Sequence, residues 1–553
     1  MQTRRADALA AGTTWIVGSL IFFRQWFQSR FTFVSGSVGD TTLVVALHEH
    51  WLLVARGQVS WTSPIFYFPA KGALGYSDTF ALNSVFYVPL RLVGFDQFAA
   101  YQWTLILLTG VGVVGSFILI RHITSLPRWL VAALSAAFVF GNNLYVTIGH
   151  PQHMGVCWLA LAASLGVTSA RSRVQLRSIG FAAASGLLFG LVLYSTYYTG
   201  WFGAAAGAIF SACFALLSIC GPGWRDRLRS AIARGRRGAY IAAAVGFCTA
   251  LIPFAITYLP VYRISGGRTY PQISALAPRP LDLFNIGDNN MLWHRAASRI
   301  LDSGRLADSE RAMALTPFLL LLVAASMAVA ATVRWRDTGQ RRTSNSCLAA
   351  GLTTGALLAL PIHFGNLSLW RIPFRLAPGA PALRAVGRVW VIGGFTAMIA
   401  IAAGTELLWR RWTVERSQPP RRLLALAAGA SALLLVEQIN TTTVAVLNRP
   451  VEVAKMTTAP RPPVTCVEFY VVSSLTNPVP SFHSEIEAIL LAQYFELPTI
   501  NGYSGLAPPD FGALNPDDEN YQALINDWVI RAHPIDHGLC LYERIEQRWT
   551  VIN

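Results

Sequence analysis

The chain has 553 residues, of which 53% are hydrophobic and only 13% charged, about half of the roughly 25% charged residues of an average soluble protein. Its formal net charge is +16, but the arginines stand in short tracts beside apolar runs and form no separate basic domain. This composition excludes a soluble enzyme and a nucleic-acid-binding protein, and it predicts a protein whose partner is the lipid bilayer.

Apolar runs of about 20 residues recur along the chain, the length that crosses a hydrocarbon core of about 30 Å as a helix. The first, "MQTRRADALAAGTTWIVGSLIFF", begins like a signal peptide but continues without a small-residue cleavage site, so we expect a retained span. About eleven spans are predicted in this polytopic α-helical membrane protein, at 8–28, 99–120, 128–147, 154–170, 178–196, 200–220, 239–261, 314–334, 347–366, 387–409 and 423–446.

Basic tracts between the spans predict the orientation. They lie at 4–5, 121–128, 171–177, 225–237, 334–342 and 410–422. All of them fall on one side if the N-terminus is cytoplasmic, as the positive-inside rule requires. The segment "FALNSVFYVPLRLVGF" (80–95) contains Pro89 and Arg91, and counting it as a span would break this alternation. We therefore expect it to be an interfacial helix.

The same orientation places the first loop (29–98) and everything after residue 446 outside. In the tail, "VTCVEFYVVSS" and "GLCLYERI" are typical of strands, whereas "SEIEAILLAQYF" and "DDENYQALINDWVIRA" are typical of amphipathic helices. We expect two domains, a transmembrane module (1–446) and a small extracytoplasmic α/β domain (447–553). Cys466 and Cys540 lie near the ends of that tail and are candidates for a disulfide in an oxidising compartment.

Two acids stand out in the first loop. Asp40, in "SGSVGDTTLVVALHEHW" (35–51), is followed by apolar residues at helical spacing: Val44, Leu47, Trp51 and Val54. This spacing predicts an amphipathic helix lying along the membrane with Asp40 at its first turn. Asp78, in "WTSPIFYFPAKGALGYSDTF" (61–80), precedes the next interfacial helix. Each acid fits a helix cap as well as a functional carboxylate, and the two roles can coexist.

Histidines and arginines supply the other candidates. His150 and His153 stand three residues apart at the outer end of a span. A metal pair without a third ligand is a weaker interpretation than an ordinary interfacial turn. Arg263 and Arg268 lie in an outer loop, against the charge bias. They fit phosphate oxygens, and pairing with neighbouring acids or lipid headgroups is the alternative.

Five motifs carry a resemblance to a known family. They are "GD" (39–40), "W…P…FYFP…YSD" (61–78), "GHPQH" (149–153), "LRAVGR" (383–388) and "PTINGYSGLAPP" (498–509). Together they resemble the GT-C glycosyltransferases, multi-span enzymes that take a sugar from a polyprenyl-phosphate carrier. The chain is most similar to bacterial members with a short outer C-terminal domain. The resemblance implies a GT-C-like bundle with interfacial helices in the first outer loop.

The resemblance also implies an activity and a place for it. The expected reaction moves a sugar from the polyprenyl-phosphate donor to an acceptor hydroxyl of a glycan, lipid or protein, with inversion, at the outer face of a bacterial cytoplasmic (inner) membrane. Asp40 matches the general base and Asp78 a second acid near the carrier phosphate or acceptor. His150, His153, Arg263 and Arg268 are the other expected substrate-binding residues.

No cofactor is certain from the sequence. Many family members carry adjacent carboxylates in the first loop, but here Thr41 and Thr42 follow Asp40. That departure leaves open whether Asp40 and Asp78 hold a divalent metal such as Mg²⁺ or Mn²⁺.

Two rival functions are a transporter or flippase of a lipid-linked envelope intermediate and a structural assembly factor. Transporters place ionisable residues inside spans near the midplane. The predicted spans contain few acids, chiefly Glu406 and Glu437, both near span ends. This distribution favours chemistry at the membrane surface over a pathway through it.

Overall fold

The computed structural model describes residues 2–220, 234–308, 310–337, 339–365, 367–415, 420–441, 446–472, 482–509, 511, 523–524 and 538–552. The described chain is mostly helical. Its α-helices are α1 Gln2–Phe22, α2 Arg24–Gln28, α3 Asp40–Ala55, α4 Ser84–Leu92, α5 Gln97–Ile123, α6 Arg128–Val139, α7 Asn142–Val146, α8 Val156–Arg171, α9 Gln175–Ser195, α10 Tyr197–Ile219, α11 Arg234–Ser265, α12 Tyr270–Leu276, α13 His294–Ala297, α14 Ser303–Leu306, α15 Pro317–Arg336, α16 Arg341–Ala359, α17 Arg371–Leu376, α18 Val389–Glu415, α19 Arg421–Val436, α20 Arg449–Thr457 and α21 Phe482–Phe495.

Eight helical segments within the described residues are long and apolar enough to cross a membrane. They are Gln97–Ile123, Arg128–Val146, Pro151–Arg171, Gln175–Ser195, Tyr197–Ile219, Arg237–Ser265, Pro317–Arg334 and Val386–Thr413. Each coincides with a predicted span, which confirms a helical membrane protein. The other three predicted spans coincide with α1, α16 and α19. Helix α1 carries Arg4, Arg5 and Asp7 in its first two turns, and α16 begins with Arg341 and Arg342. Helix α19 has 16 residues, about 24 Å of helix. These three remain predictions.

The chain divides into two compact units. The first comprises residues 1–24, 106–251 and 267–444, and the second comprises 25–105, 252–266 and 445–553. In the first unit, α15, α16 and α18 pack around a buried cluster of small and apolar side chains: Ala330, Cys347, Ala403 and Leu407. Small residues let the helices approach closely. A Cβ added to Gly404 of α18 would overlap Ser326 of α15.

Among the described residues, the second unit contains two sheets. In the smaller sheet, β1 (Phe33–Ser35) pairs antiparallel with β4 (Val446–Asn448). In the larger sheet, β5 (Glu468–Val472) runs parallel to β6 (Leu539–Glu543), which runs antiparallel to β7 (Arg548–Ile552). The remaining two strands, β2 (His363–Phe364) and β3 (Leu367–Ser368), form a hairpin in the first unit. The first loop and the tail, predicted as parts of different domains, thus lie in one unit.

The tail differs in detail from the sequence-based expectations. Strands β5 and β6 lie where they are predicted, but β7 was missed, and nearly all of the predicted helix at 517–532 lies outside the described residues. Helix α21 packs on β5 and on α3 and is buried along residues 484–493, so its predicted amphipathic character is wrong. Cys466 and Cys540 form a disulfide with their Cα atoms 5.6 Å apart, tying the chain before β5 to β6.

The first-loop helices also differ from one another. Helix α3 begins at Asp40 as the spacing predicts, but residues 41–50 are buried on every side, so the amphipathic surface helix predicted here is wrong. Its polar side chains tolerate burial because Glu49 is paired with Arg91 and His48 bonds to a backbone carbonyl. Helix α4 has nine residues, too short for a span, with Tyr87 buried on one side and Val85 exposed on the other.

Candidate functional site

Asp40 is the first residue of α3, and it is half-buried. Gly39 occupies the N-cap position, so the alternative that Asp40 is itself the N-cap is wrong. A carboxylate in the first turn of a helix is stabilised by the exposed N–H groups and by the helix dipole. The chain therefore holds this acid at a positive helix end, which favours its ionised form, and leaves part of it accessible to a bound hydroxyl.

Asp78 is half-buried in the stretch that links the short 3₁₀ helix Ala73–Tyr76 to α4. The N-cap position of α4 is occupied by Asn83, so Asp78 does not cap that helix. The structure thus removes the capping alternative for this acid without assigning it a chemical role.

The tail segment 499–504 packs against the first loop within the second unit. Tyr67 donates its backbone N–H to the Asn501 carbonyl and Thr499 donates to the Ile65 carbonyl, each at 3.0 Å. The Tyr67 hydroxyl lies 2.9 Å from that of Ser504. Gly502 packs on the Tyr67 ring so closely that an added Cβ would overlap it. Direct contacts therefore join two of the five motifs on which the family resemblance rests, those at 61–78 and 498–509.

The same segment reaches the start of α3. A Cβ built on Gly39 would lie 3.3 Å from the Tyr503 hydroxyl, which places this hydroxyl against the residue immediately before Asp40. Glu485 accepts the Gly502 N–H at 2.7 Å. Burial raises the pKa of Tyr67 far above its usual range, and the nearby Glu485 adds to this, whereas the Ser504 bond opposes it. Tyr67 is therefore a neutral hydrogen-bonding group at any working pH.

The first unit holds a basic cluster around Tyr198. The buried Arg388 donates from Nε and Nη2 to the two Glu310 oxygens at 3.0 and 2.5 Å. Its guanidinium carbon lies 5.0 Å from the centre of the Tyr198 ring, and the Tyr198 hydroxyl accepts the Arg384 N–H at 2.7 Å. The backbone packs closely here, because a Cβ added to Gly387 would lie 3.1 Å from the Glu310 carbonyl oxygen.

Two further arginines give this cluster an excess of positive charge. Arg268 is half-buried, and its backbone N–H bonds to the Pro381 carbonyl at 2.9 Å. Burial lowers the pKa of Arg268; Tyr198 opposes the effect and the charge of Arg384 adds to it. Burial raises the pKa of Glu310, but the Arg388 charge outweighs this and holds it below its usual range. Three guanidinium groups and one carboxylate thus belong to this cluster, and the excess of positive charge favours binding of an anion.

His150 and His153 belong to the same neighbourhood. Both are buried at the short 3₁₀ helix Pro151–Gly155, with their ring centres 6.2 Å apart and their planes perpendicular. His150 acts electrostatically on Glu310, and Arg388 acts on His153. Within the described residues, no group of three or more His, Cys, Asp or Glu side chains is placed to hold a metal ion.

Arg263 belongs to the second unit. It is exposed in the last turn of α11. Among the described residues, its side chain has no acidic partner, so pairing with a neighbouring acid does not explain it. Asp282, an acid of the same loop, is instead paired with Arg305 at 2.6 Å.

The structure therefore brings together His150, His153 and Arg268 of the predicted residues in the first unit, and Asp40, Asp78 and Arg263 lie in the second. Sequence reasoning missed Glu310 and the central role of Tyr198. No local signal marks Glu310, because its partner Arg388 is 78 residues away.

Comparisons with known proteins show a similarity of fold to solved structures and none of sequence. No protein-family model matches the chain, and no curated protein is significantly similar to it in sequence. The crystal structure of the Archaeoglobus fulgidus oligosaccharyltransferase in complex with Zn and sulfate is similar, with a TM-score of 0.50, 11% identity and coverage of 96% of this chain and 68% of that one. At this identity the likeness shows the fold alone.

Two more crystal structures of that archaeal protein were found. Its apo form has a TM-score of 0.46 at 12% identity and covers 90% of this chain and 64% of that one. The form tethered by a disulfide to an acceptor peptide containing the NVT sequon has a TM-score of 0.48 at 13% identity, covering 95% and 68%.

Proposed function

We propose that this protein is a membrane glycosyltransferase that moves a sugar from a polyprenyl-phosphate carrier to an acceptor hydroxyl at the extracytoplasmic face of a bacterial cytoplasmic membrane. The observation that carries the proposal is the position of Asp40, a half-buried carboxylate at the first turn of α3, whose preceding residue, Gly39, packs against the Tyr503 hydroxyl. The fold likeness to an oligosaccharyltransferase along 96% of the chain supports the class of enzyme.

Asp40 is the proposed general base. Its carboxylate takes the proton of the acceptor hydroxyl as the acceptor oxygen bonds to the anomeric carbon of the sugar. The bond from that carbon to the phosphate oxygen breaks on the opposite side, so the configuration inverts. The free polyprenyl phosphate leaves with the electron pair of the broken bond, and the proton on Asp40 then passes to water. Asp78 orients the acceptor or the carrier.

Arginines are the proposed ligands of the carrier phosphate. A leaving phosphate is already a stable anion and needs charge stabilisation more than protonation. Arg268 belongs to a cluster of three arginines and one carboxylate, and Arg263 is exposed without an acidic partner among the described residues. His150 and His153 border the same cluster and are assigned to substrate binding.

A divalent metal has no defined place in this proposal. Asp40 and Asp78 would supply two carboxylates, but the described residues offer no group of three ligands. The donor set therefore does not fit a protein-held metal, and no step is routed through one. Turnover after chelation, with Mg²⁺ or Mn²⁺ restored, tests the requirement directly.

The outward orientation is part of the proposal. The basic tracts all fall on one side of the predicted spans, and the Cys466–Cys540 disulfide suits an oxidising compartment. Both acids near span ends are internally bonded: Glu406 to Ser125 and Arg410, and Glu437 to Thr316 and Trp293. Acids engaged in this way favour the transferase over the transporter.

The test uses the purified full-length protein, polyprenyl-phosphate sugars and glycan, lipid and peptide acceptors. Free polyprenyl phosphate is measured for the wild type and for Asp40→Asn. Loss of a general base should lower kcat by about 10²- to 10⁴-fold. The matched control is Asp302→Asn, because Asp302 is an exposed cap that accepts the Arg305 N–H at 2.9 Å and Asn caps equally well.

Equal turnover by Asp40→Asn and the wild type would remove the general-base assignment. If no donor releases polyprenyl phosphate with the wild type, the transferase proposal fails and the flippase becomes the better hypothesis. That alternative is then measured as movement of a labelled polyprenyl-phosphate sugar between the leaflets of a vesicle.

A further inference from the structure

A surface cleft in the second unit is separate from the residues assigned to the reaction. It has a volume of about 410 Å³ and is lined by Arg30, Phe31, Val93, Gly94, Phe95, Asp96, Ala99, Trp103 and Arg449. These residues come from the turn that follows α2, the link between α4 and α5, the first turns of α5 and the first residue of α20. The cleft therefore lies beside the first turns of a helix that is long and apolar enough to cross the membrane.

Arg449 is held in a fixed position on one side of the cleft. Its Nε lies 3.1 Å from Asp96 Oδ2, its Nη1 donates to the Phe31 carbonyl at 3.2 Å, and its backbone N–H donates to the Thr32 carbonyl at 2.8 Å. Asp96 is the only acid among the described residues that line the cleft, and its other oxygen accepts the Phe98 and Ala99 N–H groups. The Nη2 group of Arg449 has no partner among the described residues.

Arg30 supplies a second guanidinium to the cleft. It is exposed, and among the described residues its side chain has no hydrogen-bond or ion-pair partner. Arg30 and Phe31 both have positive φ, 52° and 63°, a conformation that non-glycine residues rarely adopt and that clusters at ligand-binding sites. This turn lays the Phe31 ring on Trp103, with ring centres 5.2 Å apart and planes 19° apart.

The surroundings of the cleft are apolar. Val93 and Phe95 line it, and Val93 and its neighbour Leu92 are 73% and 63% exposed. Two guanidinium groups beside exposed hydrocarbon side chains, at the end of a membrane helix, match a ligand that carries a phosphate on a hydrocarbon chain.

We propose that this cleft binds the headgroup of a membrane lipid whose phosphate leaves it with a net negative charge, with Arg30 and Arg449 on the phosphate and Phe31, Val93 and Phe95 against the adjoining hydrocarbon. Two lipids share this chemistry, an anionic phospholipid and a polyprenyl phosphate. The inference does not depend on the transfer reaction, because binding alone is measured.

Native mass spectrometry of the full-length protein released from detergent tests the site. The added ligands are phosphatidylglycerol, decaprenyl phosphate, phosphatidylcholine and inorganic phosphate, each titrated separately, and inorganic phosphate is also added as a competitor. Arg30→Gln removes an exposed side chain with no structural partner, so the variant should fold. Its apparent Kd for the preferred phosphate lipid should rise roughly tenfold, the value of one charge-assisted bond. Arg449→Gln is the second variant, with a similar expected loss.

Arg56→Gln is the matched control, since Arg56 is also exposed in the second unit and lies 4.0 Å from Glu496. It should change the apparent Kd by less than about twofold. A loss confined to phosphatidylglycerol supports a phospholipid site, and one confined to decaprenyl phosphate supports a carrier site. Wild-type affinity of Arg30→Gln for both lipids, an equal loss for phosphatidylcholine, or displacement by equimolar inorganic phosphate would overturn the proposal.

Discussion

The Glu49 carboxylate of α3 accepts two parallel hydrogen bonds from the Arg91 guanidinium of α4, from Nε and Nη2, each at 2.8 Å. The Tyr87 hydroxyl donates a third bond at 2.6 Å. Glu49 is 5% exposed, so removing its partner would leave a charge in a site that cannot hydrate it. This pair explains how α4, which carries Pro89 and Arg91, is fastened to the helix that begins with Asp40.

Arg91→Gln should therefore destabilise the second unit by about 3 kcal/mol. The measurement is the apparent melting temperature of the purified protein in detergent. Arg56→Gln serves as the control, because Arg56 and Glu496 are both about half exposed and such pairs contribute less than about 1 kcal/mol. Equal melting temperatures for the wild type and Arg91→Gln would show that the pair does not stabilise the fold.

The buried histidines of α3 predict a dependence of stability on pH. Burial lowers the pKa of His48 and of His50 to about 4, and backbone hydrogen bonds oppose this only in part. In the unfolded chain each histidine becomes protonated below its ordinary pKa of 6.5. In the folded chain each stays neutral until the pH approaches about 4. Stability from each histidine is thus fully present above pH 6.5 and is lost as the pH falls towards 4.

His50→Gln should flatten that part of the profile, because the variant lacks the titrating imidazole. A Gln amide can keep the bond that His50 Nε2 makes to the Trp61 carbonyl, so the variant should still fold. The melting temperature is measured from pH 7 to pH 4. His294→Gln, outside α3, is the control.

Two buried acids contribute to the same pH range with the opposite sign. Burial raises the pKa of Glu468 and Glu487 to about 7, which gives stability that is lost as the pH rises. The difference between variant and wild type therefore isolates His50, and parallel profiles would contradict the prediction.

The membrane helices were predictable because an apolar run of about 20 residues is a local signal. Helix α3 shows the limit of such signals. Its spacing predicts a helix, but the polar residues "HEH" (48–50) suggest a face exposed to water. Their burial depends on partners such as Arg91, which is 42 residues away in the chain. In the same way, β1 pairs with a strand more than 400 residues later, and no periodicity in either segment encodes that pairing.

For the candidate site, the sequence identified residue types better than partnerships. Arg388 is buried against Glu310, 78 residues away, and against Tyr198. Asp282 is likewise paired with Arg305, which stands 23 residues later. Whether an arginine is neutralised or left to bind an anion depends on contacts between distant residues, which the order of residues alone does not state.

Gly502 provides a test of the contact between the tail and the first loop. An added Cβ would overlap the Tyr67 ring, so Gly502→Ala should cost about 1 to 3 kcal/mol by overpacking. It should also lower turnover, because the segment reaches Gly39 beside Asp40. Melting temperature and release of polyprenyl phosphate are measured together. Gly429→Ala, a helical position with open space around it, should leave both unchanged. An unaffected Gly502→Ala variant would refute this contact.

The disulfide predicts a specific labelling pattern. Five cysteines are free, so the unfolded, unreduced protein should take up five alkyl groups and the reduced protein seven. Because the bridge spans 74 residues, replacing Cys466 and Cys540 by Ser should cost about 4 kcal/mol in the chain-entropy account. Cys220→Ser, at an exposed free cysteine, is the control for the melting temperature. Seven labels without reduction would mean that the pair is not formed.

Substitution of Arg268 tests whether its guanidinium binds the carrier phosphate or only stabilises the fold. If its guanidinium holds the carrier phosphate, Arg268→Gln should raise the donor KM roughly tenfold, with a smaller effect on kcat, because a charge-assisted hydrogen bond is lost. Arg268→Lys should recover part of the loss, since Lys keeps the charge without the planar fork. The control is Arg371→Gln, whose guanidinium lies 5.2 Å from the Tyr270 ring centre instead of beside Tyr198. A merely structural Arg268 would lower the melting temperature and leave the donor KM of the folded fraction unchanged.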